Sequence, residues 1–202
     1  MNTETYPKGI FFAAAALLLL AGPAFGQDGS NAANKTSAAG SSIEVISPAL
    51  EETVLATTIK TSSPQDLIFA VTLECALWTT VQTEGNDDSV SRATVTITVL
   101  FDGVEVPISG ESADGTVVFC DRTHQQTTTL FNDEDATIKS YLATRSANAF
   151  NWILPDVGSG VHTVQVVADL TAVADEDLVA KAAVGNRVLI VEPTQLAQGF
   201  TL

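Results

Sequence analysis

The chain has 202 residues, 46% hydrophobic and 16% charged, with 24 acids against 9 bases and a formal net charge of −15. Length and apolar content fit one domain with a tail and exclude a wholly disordered chain. The bases are scattered singly. That excludes the clustered Lys and Arg that nucleic acid demands, and an anionic membrane surface is disfavoured by the same sign argument. Two histidines and two cysteines are too few for a zinc-finger array or an iron–sulfur cluster.

Residues 10–21 read IFFAAAALLLLA, after Lys8 and before Gly22-Pro23-Ala24-Phe25-Gly26. A basic start, an apolar centre and a small-residue exit form the secretory pattern, with Ala24 and Gly26 at the positions a signal peptidase reads. The run is shorter than the roughly 20 residues a helix needs to cross a bilayer. Residues 1–26 are therefore expected to be a signal peptide. The mature protein would be secreted or extracytoplasmic, in the periplasm or at the cell surface, with no stable membrane insertion after cleavage. Residues 27–42, QDGSNAANKTSAAGSS, lack apolar periodicity and read as a flexible polar spacer. Asn34-Lys35-Thr36 fits a glycosylation sequon, which matters only in a eukaryotic secretory route.

From residue 43 the apolar period is two. Leu67, Phe69, Val71, Leu73, Cys75 and Leu77 share one face of a strand, with Glu74 and Trp78 on the other. Ala93, Val95, Ile97, Val99 and Phe101 repeat the pattern, and Asp102-Gly103 before Val104 predicts a tight hairpin. Residues 115–120 (GTVVFC) form another strand, and 127–131 a further one. Phe150, Trp152 and Leu154 alternate before Pro155. Val164, Val166, Ala168 and Leu170 mark a long strand. Leu178, Ala180, Ala182 and Val184 are expected to pair with it across Asp175-Glu176-Asp177. Gly185-Asn186 predicts a bulge, and residues 188–191 the last strand. In 135–147, Ile138, Tyr141 and Leu142 fall at helical spacing behind Asp135, which favours a short crossing helix narrowly over a strand. The whole is all-β: an antiparallel β-sandwich of about eight to nine strands, with that one helix, over a single domain at 43–202.

Residues 150–154 (FNWIL) followed by 158–166 (GSGVHTVQV) resemble the E–F corner of an immunoglobulin-like or fibronectin type III-like sandwich of secreted prokaryotic proteins. The resemblance implies that 188–191 is the last strand and that His162 stands where such folds place a corner tyrosine. It concerns architecture, and such sandwiches host adhesion, ligand binding and spacing alike.

A secreted chain with two cysteines is expected to pair them. Cys75 lies on an inward face and Cys120 ends an apolar strand. A bridge would close a loop of about 46 residues, with an upper stabilisation of about 4 kcal/mol. Two separate buried thiols are the alternative. His124, in a polar stretch, reads as a surface residue, and His162 as a corner residue holding a backbone carbonyl. No G-x-S-x-G elbow is present, and no catalytic residue is assigned. Among 24 acids a glycosidase-type carboxylate pair is always available, so it carries little weight. Acidic turns at 86–88, 132–135 and 175–177 read as solvated. Asn132, Asp133 and Asp135 are the place for a structural calcium, without EF-hand spacing, and no other cofactor is expected. The sum is an exported, non-catalytic module that acts outside the cytoplasm in a structural or binding role, with a protein or a glycan as partner. An adhesion module is the nearest alternative, and a small secreted hydrolase using a carboxylate pair comes from a different class.

Overall fold

Ten strands fill the residues that the computed structural model describes (35–48, 50–85, 87–108, 114–129, 137–174 and 179–194), and no helix occurs among them. They are β1 (Thr36–Gly40), β2 (Glu44–Ile46), β3 (Glu52–Thr61), β4 (Gln65–Glu84), β5 (Asp88–Phe101), β6 (Val104–Glu105), β7 (Val117–Thr127), β8 (Thr137–Val157), β9 (Gly160–Ala174) and β10 (Ala180–Thr194). Sheet A has the order β1-β10-β4-β8, with β2 also on β10. Sheet B has the order β3-β9-β5-β6, with β7 also on β5. Every ladder is antiparallel.

The alternating stripes form the contact between the sheets. Leu67, Phe69, Val71, Leu73, Cys75 and Leu77 of β4 are buried, and so are Ala93, Val95, Ile97 and Val99 of β5 and Val164, Val166, Ala168 and Leu170 of β9. Period-two patterning puts each set on one face. Burying each large aliphatic side chain contributes about 1.5–3 kcal/mol. Trp152 of β8 is buried at 1% exposure and donates from Nε1 to Gly115 O at 2.7 Å. Its ring stacks at 6.3 Å from Phe119 and meets Phe150 edge-on at 4.9 Å. Gly115 itself is pressed against the backbone of Val106, whose carbonyl a Cβ at this position would strike.

The Asp102-Gly103 hairpin forms between β5 and β6, with Phe101 opposite Val104. Both turn residues have positive φ, 50° and 81°, as a type I′ turn requires. The Gly185-Asn186 irregularity is also present: the register of β10 on β4 shifts between Gly185 and Val188, and Asn186 has φ 41°. After the bulge, Arg187 is turned inward. Its guanidinium donates to Ser42 O at 3.0 Å and to Glu44 Oε1 at 2.6 Å. It thereby clamps the crossover from β1 to β2.

Four expectations are corrected. Residues 137–147 are not helical; they are the first half of β8, paired with β4 from Glu84 to Glu74. Helical spacing of Ile138, Tyr141 and Leu142 misled because this stretch is a sheet edge exposed on both faces, so no buried side enforces alternation. Residues 36–40, inside the segment read as spacer, form β1 on β10, and Thr36 is buried against Thr57 of β3 at 2.8 Å between hydroxyls. Residues 127–129 start no new strand, since β7 ends at Thr127. Lastly, β10 pairs with β4 within sheet A and not with β9 of sheet B. The immunoglobulin arrangement places the last strand beside its predecessor in the same sheet. Here β3 takes that place beside β9, and β10 sits in the opposite sheet.

Candidate functional site

The face of β4 that looks away from the core carries Glu74, Ala76 and Trp78. Register sets Ala147, Arg145 and Ala143 of β8 on one side of them, and Gly185, Ala183 and Lys181 of β10 on the other. Two alanines and the bulge glycine leave a depression of about 140 Å³, lined by Ile43, Glu74, Ala76, Trp78, Arg145 and Ala183 among others. Trp78 is half-buried at its edge. Ile43 and Val45, beside β10, are 73% and 61% exposed, and Tyr141 on β8 is 63% exposed. This is an apolar floor with an aromatic wall and a charged rim.

Glu74 forms that rim. Arg145 donates to its carboxylate, and Asn186 Nδ2 donates to Oε2 at 2.8 Å. The Arg145 hydrogen bond first, and Asn186 second, hold the Glu74 carboxyl below its usual pKa. A carboxylate kept ionised and engaged twice is a positioned acceptor and not a proton donor. The sequence showed Glu74 and Trp78 off the core stripe, but not Arg145, Asn186 and Ala183, which long-range register brings beside them.

Cys75 of sheet A is bonded to Cys120 of sheet B, with Cα atoms 6.4 Å apart, within the usual range for a bridge. The bond ties β4 to β7. Asn148 of β8 closes over it, donating to Phe119 O at 2.7 Å. His124 is half-buried, with Nε2 3.4 Å from Ser140 Oγ, so it is not the surface residue its polar neighbours suggested. The candidate leader 1–26 and the calcium candidates Asn132, Asp133 and Asp135 lie outside the described residues. Among those described, no group of three or more His, Cys, Asp or Glu gathers as a metal site, and no helix is long and apolar enough to cross a membrane.

His162 sits at the β8–β9 corner with Nε2 3.1 Å from Gly158 O and Nδ1 2.8 Å from Asp102 Oδ2. Phe101 stacks on its ring at 4.7 Å. The Thr163 amide donates to Asp102 Oδ1 at 2.7 Å. The β5–β6 turn is thus fastened to the start of β9. Partial burial pushes the Asp102 carboxyl up, but the hydrogen bonds from His162 and Thr163 together outweigh it and hold the group below its ordinary value. A carboxyl depressed in the folded state stabilises above its unfolded pKa, and that stability is lost as pH falls through the folded value. Asp102→Asn is therefore expected to flatten the acid limb of stability against pH below the ordinary carboxylate range. Melts from pH 7 to pH 2 check this; an unaltered acid limb refutes it.

No protein-family model and no curated protein matches the chain. Two solved structures that resemble it distantly are the infectious bursal disease virus VP2 subviral particle and the Gx strain of that virus. The first has 9% identity and a TM-score of 0.26, over 79% of this chain and 32% of that one. The second has 13% identity and a TM-score of 0.25, over 82% and 36%. This chain spans about a third of the length of those chains. Likeness at this level carries no argument about function.

Proposed function

We propose that the protein is an exported, non-catalytic β-sandwich that acts outside the cytoplasm as a binding module, with the outer face of sheet A as its contact surface. The secretory pattern of residues 1–26 and the Cys75–Cys120 bridge support export, since such bridges persist in oxidising compartments. The observation that carries the binding reading is the depression beside Trp78, with its alanine floor, its Glu74–Arg145 rim and exposed Ile43 and Val45 alongside. A half-exposed indole offers large contact area at small entropic cost, and an apolar centre with a polar rim is how contact patches are built. Either a protein side chain or a sugar face suits such a wall, so adhesion to a glycan stays within this reading.

The test is crosslinking mass spectrometry on secreting cells, with the culture medium analysed beside them. Trp78→Ala is expected to reduce recovered crosslinks to the partner about tenfold, a loss of about 1.4 kcal/mol, and to leave the melting temperature nearly unchanged. Undiminished crosslinks in Trp78→Ala would place the contact surface elsewhere. Abundant free protein with no neighbour would shift the reading to soluble ligand binding or hydrolysis.

A further inference from the structure

The two sheets differ on the sides they turn away from the core. Residues opposite one another in a ladder share a face. Outward from sheet B go Thr94, Thr96 and Thr98 of β5 and Gln165, Asp169 and Thr171 of β9, a face suited to water. Outward from sheet A, by the same register, go Ile68, Ala70 and Ala76 of β4, Val188 and Ile190 of β10 and Ile153 of β8. An antiparallel sheet with one solvated side alternates apolar and polar residues along its strands. β4 departs from that between Leu67 and Trp78, where both of its sides are largely apolar. Near-continuous apolar strands of this kind belong to sheets covered on both faces.

Three properties of the outer face of sheet A bear on what covers it. The first is area. Four strands about 4.8 Å apart, over the length of β4 from Ile68 to Thr80 at about 3.3 Å per residue, make a face of roughly 800 Å². A stable protein–protein contact takes about 800 Å² from each partner. The second is charge. The chain carries a net −15, but among the described outward positions of this span the carboxylates are Glu74 and Glu192, and a base meets each. Arg145 donates to Glu74, and Lys35 Nζ donates to Glu192 Oε2 at 2.7 Å. Lys181, opposite Trp78, adds a further base. A second, equally acidic molecule therefore meets no excess of negative charge on this face. The third is shape. Ile43 and Val45 stand out along the β2 side, both well exposed. On the β8 side Ala147 and Ala143 lie opposite Glu74 and Trp78, and Arg145 between them reaches over to Glu74. A copy rotated by half a turn about an axis along β4 sets the raised side of each molecule over the low side of the other. An isologous contact requires that self-complementarity.

We propose that the outer face of sheet A is a homodimer interface, covered by the same face of a second copy across a two-fold axis along β4. This rests on the reading of that face as the contact surface and names its occupant. The two faces stack about 10 Å apart with their strands nearly aligned, as two sheets do inside one sandwich. Ile43 and Val45 of each copy then cover the alanines of β8 in the other, and both Trp78 side chains are enclosed. A lipid surface suits the face less well, since Glu74 and Arg145 would enter it along with the apolar residues.

The test is sedimentation equilibrium of the chain purified from secreting cells, over a range of protein and salt concentrations, with flotation on phosphatidylcholine vesicles beside it. A dimer is expected, and it tightens as salt rises, because salt screens the repulsion between two chains of net −15. Ile43→Glu combined with Val45→Glu, at two exposed positions that folding does not depend on, is expected to weaken association at least about hundredfold, and Trp78→Ala about tenfold. Val173→Glu, at an exposed position on the outer face of sheet B, is expected to leave it unchanged. A monomer at every concentration overturns the proposal. So does association that is undiminished in the double variant, falls equally in Val173→Glu, or weakens as salt rises. A monomer that floats with the vesicles overturns it in favour of a lipid surface. The contact-surface reading fails separately, when Trp78→Ala leaves the crosslinks on secreting cells undiminished. A monomeric chain whose crosslinks to a different protein are lost in Trp78→Ala would keep the face and overturn only its occupant.

Discussion

Replacing Cys75 and Cys120 together by alanine is expected to lower the unfolding free energy by about 3–4 kcal/mol, measured by urea denaturation without reductant. The bridge spans a sequence separation of 45, and holding two such distant points together removes conformations from the unfolded chain more than it adds contacts to the folded one. It also joins one sheet to the other, whereas β7 is otherwise held in its ladder by β5 alone. A second signature follows from the same cause. An unfolded chain without the crosslink exposes more surface, so the denaturant slope rises as the midpoint falls. A midpoint unchanged in the double variant would show that β7 is kept in place by pairing and burial alone.

Trp152→Ala is expected to cost about 3–5 kcal/mol, the range for removing a large aromatic from a packed core. The loss has two parts. The indole fills the space between Phe119 and Phe150, which the surrounding strands cannot close without breaking their ladders. Its Nε1 also satisfies the carbonyl of Gly115, a buried residue, and an unpaired buried acceptor costs about 1–3 kcal/mol. Trp152→Phe separates the two, restoring most of the volume while leaving the carbonyl unpaired. Equilibrium unfolding of both variants is the check. Equal losses would mean that the hydrogen bond dominates, and a negligible loss in Trp152→Ala would mean that the core collapses around the gap.

The elements legible in the sequence are those where burial imposes a period. Leu67 through Leu77 and Ala93 through Val99 alternate because one face of each strand is dry, and every one of those residues is buried. Asp102-Gly103 and Gly185-Asn186 were legible because a positive φ selects residue types. Residues 137–147 were not, since an exposed edge accepts any order of polar and apolar side chains. The partner of β10 was hidden for another reason: alternation tells which face of a strand is buried, but not which sheet receives it. The same limit hid the candidate sites. Trp78 and Glu74 stood out as departures from the apolar stripe. Arg145, which reaches Glu74 across 71 positions of sequence, emerges only from the register of the folded chain.

The placement of β10 also has a consequence for how the protein comes to be folded. β10 is an interior strand of sheet A, between β1 and β4, and its partners Phe69, Val71 and Leu77 lie more than a hundred residues earlier. Until residues 180–194 arrive, one flank of β4 is an open ladder and Ala182, Leu189 and Val191 are missing from the core. Such distant pairing makes folding slow, because the entropy of closing the loop is lost before the contacts form. A chain still being made therefore cannot complete its sandwich. The sandwich closes only once β10 has joined β4.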